Sequence, residues 1–234
     1  MVAAWCIGAS LVWAADPQFI EPNAQAGQSL AVRIDGGALV HTGQMLPWGS
    51  ATTPTPPGEQ VFQAFSKLRD ALKVADAELS DVVKLNVYVS HPSVTPLVEQ
   101  ELRSRFRAPS LPAVSFVQTR LPDPAAMVAL DAVARTRRDD VASVVLLEST
   151  EKGQPAPAAI LPGGGVIYIS GQAEKGDGSL ASATRETMAG LFKTLEFLGS
   201  KPDHVVQIKA FLTPMSDAAA ALKELRGAFG AAAR

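Results

Sequence analysis

The chain has 234 residues, of which 47% are hydrophobic, which is enough for the cores of one or two globular domains. Its 21 basic and 23 acidic residues give a formal net charge of -2. The short basic run at 135–138 is followed directly by Asp139 and Asp140, as in an exposed linker. Because nucleic-acid binding needs clustered Lys and Arg, this composition argues against a nucleic-acid partner.

The N-terminal segment 1–15 is apolar but shorter than the roughly 20 residues that a membrane span requires. Val12 and Ala14 have the small-residue spacing of a signal-peptidase site, although the positively charged start of a signal peptide is absent. We therefore predict a signal peptide and an exported or periplasmic protein. A buried N-terminal segment in a cytoplasmic protein is the alternative. Cys6, the only cysteine, lies here, so the rest of the chain holds no thiolate or disulfide.

The hydrophobic periodicity of residues 18–138 predicts a first domain with the order ββαβαββ. Gly36 and Gly37 separate two short apolar segments, which indicates a β-hairpin. Apolar residues then recur every three or four positions, as in a helix, and later alternate, as in a strand. The predicted strands are 31–35, 38–42, 83–89, 113–118 and 127–133, and the predicted helices are 60–79 and 97–106.

The same pattern returns in the second half of the chain. The sequence of 81–89 reappears at 204–212, and that of 101–106 reappears at 224–229. A repeat this long predicts two tandem domains of one fold, the second at 139–234. Its predicted order is ββαβα, without closing strands, so we expect the chain to continue or a partner to supply them. Its predicted strands are 144–147, 166–169 and 205–212, and its predicted helices are 188–198 and 222–229.

Helices grouped over a mixed sheet make this an α+β fold. The order and spacing of its motifs over 30–134 resemble the reactive-intermediate deaminase family, called Rid, YjgF-like or endoribonuclease L-PSP. The resemblance implies a chorismate-mutase-like fold, a homotrimer or other homo-oligomer with ligand clefts between subunits, and hydrolysis of reactive enamines and imines to a keto acid and ammonia. The motifs are Thr42-Gly-Gln44, the helix at 60–79, Asp81-Val-Val-Lys-Leu-Asn-Val-Tyr-Val89, Phe106, Pro112-Ala-Val-Ser115, Arg120-Leu-Pro122 and Leu130-Asp-Ala-Val-Ala134.

The chain departs from this family at both catalytic positions. Val114 stands where active members carry the arginine that pairs with the substrate carboxylate, and valine supplies none of that interaction. Ala129 stands where they carry a strand glutamate. Asp131 lies on the same strand face but about 6–7 Å away, so we expect a structural role for it rather than that of a replacement for the glutamate. No catalytic residue, cofactor or metal site is assigned, and His41, His91 and His204 lack ligand spacing.

The resemblance also predicts which residues border the cleft. With valine at position 114, this cleft is expected to be apolar and to suit an uncharged or aromatic small molecule. His41 lies beside it, as a packing residue or a ligand contact. The predicted ligand-binding residues are Gly43, Gln44, Val114, Ser115, Phe116, Ala129, Gly171 and Gln172.

Three functions remain open from the sequence. The first is a Rid-like protein that binds a small molecule and whose first domain is inactive as a deaminase. The second is an enamine or imine deaminase with its active residues in the missing tail of the second domain. The third is a trimerisation or structural scaffold.

Overall fold

A computed structural model describes residues 16–48, 55–138, 141–148, 156–167, 169 and 172–229. The predicted signal peptide at 1–15 and the predicted site residue Gly171 lie outside them. The strands are β1 (Gln18–Asn23), β2 (Gln28–Arg33), β3 (Leu39–Thr42), β4 (Val82–Val89), β5 (Ala113–Gln118), β6 (Val128–Arg135), β7 (Val145–Leu146) and β8 (Ala158–Leu161). The helices are α1 (Pro57–Val74), α2 (Thr95–Arg105), α3 (Leu180–Phe197) and α4 (Ala218–Ala228).

These strands form one mixed sheet in the order β1-β2-β5-β4-β6-β3-β8-β7. The central strand β4 runs parallel to β5 and antiparallel to β6. The strands β4, β5 and β6 and the helix α2 lie where the periodicity predicts them. The fold is therefore mixed α+β, as predicted from the sequence.

The main core lies between α1 and the sheet. Phe65, Leu68 and Leu72 of α1 are fully buried in the same cluster as Leu85 and Val87 of β4. Burial of a large apolar side chain contributes about 1.5–3 kcal/mol, so this face stabilises the positions of β4 and its neighbours. Because α1 ends at Val74 and a separate turn follows at Leu79–Asp81, the helix is shorter at its C-terminal end than the predicted 60–79.

The predicted hairpin between 31–35 and 38–42 is wrong. β2 pairs instead with β1, through a turn in which the Asn23 side chain accepts two backbone N–H groups. Gly36 and Gly37 have φ angles of 116° and 91°, and the chain crosses from β2 past three strands to β3. The sequence hides this arrangement because β1 is a largely exposed edge strand without apolar alternation.

The second half of the chain extends the sheet of the first. β8 pairs with β3 and β7 pairs with β8, both antiparallel. The predicted strand at 144–147 is confirmed as β7, but the described residues of 166–169 and 205–212 are not in strands, so these two predictions are wrong. Residues 205–212 have no flanking strands in the described part of the chain. They contact the first half through side chains, whereas β4 is held between β5 and β6.

The helices α3 and α4 pack against each other, with Phe192 and Phe229 in an edge-to-face contact at 5.5 Å between ring centroids. Both correspond to predicted helices. Among the described residues, no helix is long and apolar enough to cross a membrane.

Candidate functional site

Val114 and Ala129, which stand where the resemblance implies catalytic residues, lie in different apolar surroundings. Val114 of β5 pairs with Leu85 and is partly buried against the main core. Ala129 of β6 is fully buried in a smaller cluster with Tyr88 and Leu121. Alternate strand residues point to opposite faces, so this second cluster lies on the side of the sheet away from α1. The two positions therefore do not converge on one point.

The other predicted site residues are dispersed over the sheet, the segment after β3 and the segment before α3. Gly43 donates its backbone N–H to the carbonyl of Pro157 at 2.8 Å, and Gln44 is exposed. Phe116 is 37% exposed. Gln172 is exposed and donates to the Thr194 hydroxyl of α3 at 3.4 Å.

Ser115 is the predicted site residue that belongs to a larger polar arrangement. Its hydroxyl accepts a hydrogen bond of 2.5 Å from Nζ of Lys84. Ser115 is also paired in register with Asn86, which in turn pairs with Asp131. Polar side chains from three adjacent strands therefore meet on the sheet face away from α1. We call Lys84, Asn86, Tyr88, Ser115, Asp131 and the nearby His41 the polar cluster.

Asp131 is the centre of the polar cluster. Its side chain is only 5% exposed, and its carboxylate accepts from three donors. These are the Tyr88 hydroxyl at 2.7 Å, the Asn86 amide at 2.8 Å and the Lys209 ammonium at 3.0 Å. Lys209 comes from the 205–212 segment, whose Gln207 also donates to the backbone carbonyl of Thr42 at 2.8 Å. The second half of the chain thus covers part of this face.

Burial and charge perturb three groups here. Burial, then the hydrogen bond to Asp131, raises the pKa of Tyr88, so its hydroxyl stays protonated and donates. Burial, then the positive charge of Lys209, lowers the pKa of Lys84, which Asp131 opposes. Burial is also the main cause that lowers the pKa of His41; Gln207 opposes it, yet neither ring nitrogen has a partner with hydrogen-bond geometry in the described residues.

Sequence reasoning missed most of this cluster. Asp131 was expected to be structural, and its three hydrogen bonds fit that expectation. The signal for the rest was present in β4, where Lys84, Asn86 and Tyr88 alternate with buried apolar residues. Such alternation marks a second face that is not part of the main core. The contribution of Lys209 had no local signal, because Lys209 lies 78 residues from Asp131 in the chain and its own segment does not encode so distant a contact.

A separate cleft of about 450 Å³ lies between the 120–126 loop and the turn at Met215–Asp217 that precedes α4. This volume falls within the range of about 300–1,000 Å³ that is usual for small-molecule sites. Val114 and Ala129 do not line it, although it borders the apolar cluster of Ala129 through two shared residues. Its lining residues are Ser90, Arg120, Leu121, Pro122, Asp123, Pro124, Ala126, Met215 and Ser216.

Comparison with known proteins identifies the family of the first half of the chain. The profile of the family described as endoribonuclease L-PSP matches residues 20–136. This match runs from β1 to the end of β6 and leaves the second half outside it. No curated protein matches the chain.

Solved structures of the same family resemble the first half. A Rid-family protein of unknown function, YyfB from Yersinia pestis, is 22% identical with a TM-score of 0.45, covering 52% of this chain and 99% of its own. A YjgF/YER057c/UK114-family protein from Mycobacterium tuberculosis is 27% identical with a TM-score of 0.37, covering 52% and 100%. A putative endoribonuclease from Thermotoga maritima is 23% identical with a TM-score of 0.38, covering 52% and 98%.

Proposed function

Because this chain belongs to the endoribonuclease L-PSP family, also known as Rid or YjgF, we propose that it binds a small molecule and that its first domain does not act as a deaminase. The observation that carries the proposal is the apolar packing of Val114 and Ala129 at the family's catalytic positions. Neither side chain pairs with a carboxylate or transfers a proton. Loss of a positioned acid or base alone typically lowers a rate by about 10²–10⁴-fold.

Asp131 does not replace the missing glutamate in this proposal. All three of its neighbours donate to it, so its carboxylate is committed to Tyr88, Asn86 and Lys209. A general base must reach the proton that it abstracts, and this carboxylate is buried. We therefore assign Asp131 to the stability of the sheet.

The cleft beside the 120–126 loop supports the binding part of the proposal. Its lining includes the apolar residues Leu121, Ala126 and Met215, and its polar lining residues are Ser90, Arg120, Asp123 and Ser216. An apolar pocket with a few convergent polar groups is the usual form of a small-molecule site. We propose an uncharged or aromatic ligand with an acceptor group for Arg120. In a homotrimer, which we also propose, the neighbouring subunit completes the cleft.

A second candidate function follows from the internal repeat. If 139–234 is a second Rid-like domain, as the recurrence of 81–89 at 204–212 suggests, the protein is an enamine or imine deaminase whose active residues belong to that second domain. The two proposals differ in one respect that can be measured, which is imine hydrolysis by this chain. Export through a signal peptide at 1–15 is compatible with either.

A binding experiment tests the main proposal. Purified protein is screened by thermal shift against uncharged aromatic compounds such as indole and benzamide, and hits are titrated by calorimetry. We expect saturable binding that Ser216→Trp abolishes, because the indole of the new tryptophan fills the cleft. Ser104→Trp, on exposed α2, is the matched control and should bind normally. Binding that Ser216→Trp leaves unchanged contradicts the cleft, and no binding across the panel favours the scaffold function.

A further inference from the structure

Lys84 differs from the other lysine of this region in what surrounds its amine. Its Nζ donates to the Ser115 hydroxyl, and among the described residues it has no carboxylate within ion-pair distance. Asp131, the carboxylate whose charge acts on Lys84, already accepts from three donors, including the ammonium of Lys209. Lys84 is therefore a partly buried amine whose closest formal charge partner is engaged elsewhere.

Such surroundings favour the neutral form of an amine. Partial burial weakens hydration of an ammonium, and a second ammonium nearby repels it. Both effects act on Lys84, whose pKa is lowered by burial first and by Lys209 second. A lysine that is desolvated or next to another cationic group is the usual form of a lysine that attacks carbonyl carbons. A lysine kept only for solubility is instead exposed and fully hydrated.

We propose that Lys84 is a reactive amine that forms an imine with a small aldehyde or ketone bound over β4 and β5. The Nζ lone pair attacks the carbonyl carbon, and the amine proton passes to the carbonyl oxygen to give a carbinolamine. Loss of the hydroxyl group with the second amine proton releases water and leaves the C=N bond. One amine and one carbonyl thus give one imine and one water, and no oxidant or reductant is required.

The neighbouring groups fit these steps. The Ser115 hydroxyl holds Nζ in place and relays protons between nitrogen and oxygen. When the imine is protonated, the positive charge lies near the Asp131 carboxylate, which also balances Lys209. With Lys84 neutral, Lys209 and Asp131 balance each other, so an uncharged carbonyl compound enters without leaving an unpaired charge. This inference goes beyond the proposed function, because it does not depend on binding in the cleft.

The test uses the other lysines of the same chain as internal controls. The native protein is treated with limiting benzaldehyde and sodium cyanoborohydride, which reduces imines to stable amines, and peptide mass spectrometry measures modification at each lysine. We expect Lys84 to be modified several-fold faster than the exposed Lys73 and Lys193. In urea this preference should disappear. Lys209→Met should slow modification of Lys84 relative to Lys73, and Lys84→Arg should remove the fast adduct.

Two results would overturn the proposal. If Lys84 is modified no faster than Lys73 in the native protein, its amine is not activated or is not accessible to the aldehyde. A preference that persists in urea would show that the local sequence, not the fold, sets its reactivity. Because the first comparison uses only the unmodified chain, neither result depends on whether a variant folds. An unchanged ratio in a folded Lys209→Met protein would contradict the part given to Lys209.

Discussion

Removal of the Asp131 carboxylate should strongly destabilise the protein. Asp131→Ala leaves the buried Tyr88 hydroxyl, the Asn86 amide and the Lys209 ammonium without their acceptor. Loss of one partner from a buried charged network typically costs about 3–5 kcal/mol. Lys209 is 37% exposed and regains water, so we expect the lower end of that range. Asp131→Asn keeps the shape and one acceptor, and it should cost less.

Urea unfolding followed by circular dichroism measures these differences. The matched control is Asp70→Ala, which removes an exposed carboxylate whose partner among the described residues is its neighbour Arg69, and it should change the free energy of unfolding by at most about 0.5 kcal/mol. If Asp131→Ala is as stable as Asp70→Ala, the carboxylate does not hold this face of the sheet together, and the reasoning from its three hydrogen bonds is wrong.

Three further predictions concern pH, assembly and the second half. Burial lowers the pKa of His41 below its ordinary value of 6.5. As the pH falls below 6.5, the unfolded chain therefore takes up a proton at His41 more readily than the native chain, and the free energy of unfolding decreases. His41→Gln should therefore flatten the fall in Tm on acidification. Light scattering should give a mass of three chains, and a stable monomer at micromolar concentration would contradict the trimer. Limited proteolysis should cleave the segment 205–212 at an earlier time than it cleaves β4. Equal resistance of the two segments to the protease would refute this prediction.

The parts of the fold that the sequence predicted well are those with a strong local pattern. In β4, Leu85 and Val87 alternate with polar residues, and one face of it packs on α1. The helix α2 repeats apolar residues at helical spacing and buries Val98 and Leu102. In such segments the apolar residues of the sequence are the ones that form the buried face, so the sequence alone is sufficient to predict the element.

Strand pairing could not be predicted in this way. Residues 205–212 have nearly the pattern of β4, but a strand also needs partners for its backbone N–H and C=O groups. β4 has β5 and β6 on its two sides, and 205–212 has no flanking strand in the described structure. The β2–β3 hairpin failed for the same reason, because β1 and β5 occupy the two edges of β2.

The candidate site shows a similar limit. The substitutions at Val114 and Ala129 were evident from the sequence. Both side chains are apolar, and both pack against apolar neighbours. The polar cluster needed the register of three strands and a contact from Lys209, 78 residues from Asp131 in the chain. Long-range contacts of this kind are set by tertiary packing, which no local pattern encodes.

Imine hydrolysis by the purified chain tests the central claim most directly. The imine of alanine or leucine is generated in the assay, and its loss is followed by semicarbazone or ammonia formation. With Val114 and Ala129 at the catalytic positions, we predict no rate above the background without protein. A rate within about tenfold of an active family member would contradict the account, since loss of a positioned acid or base should cost at least about 10²-fold.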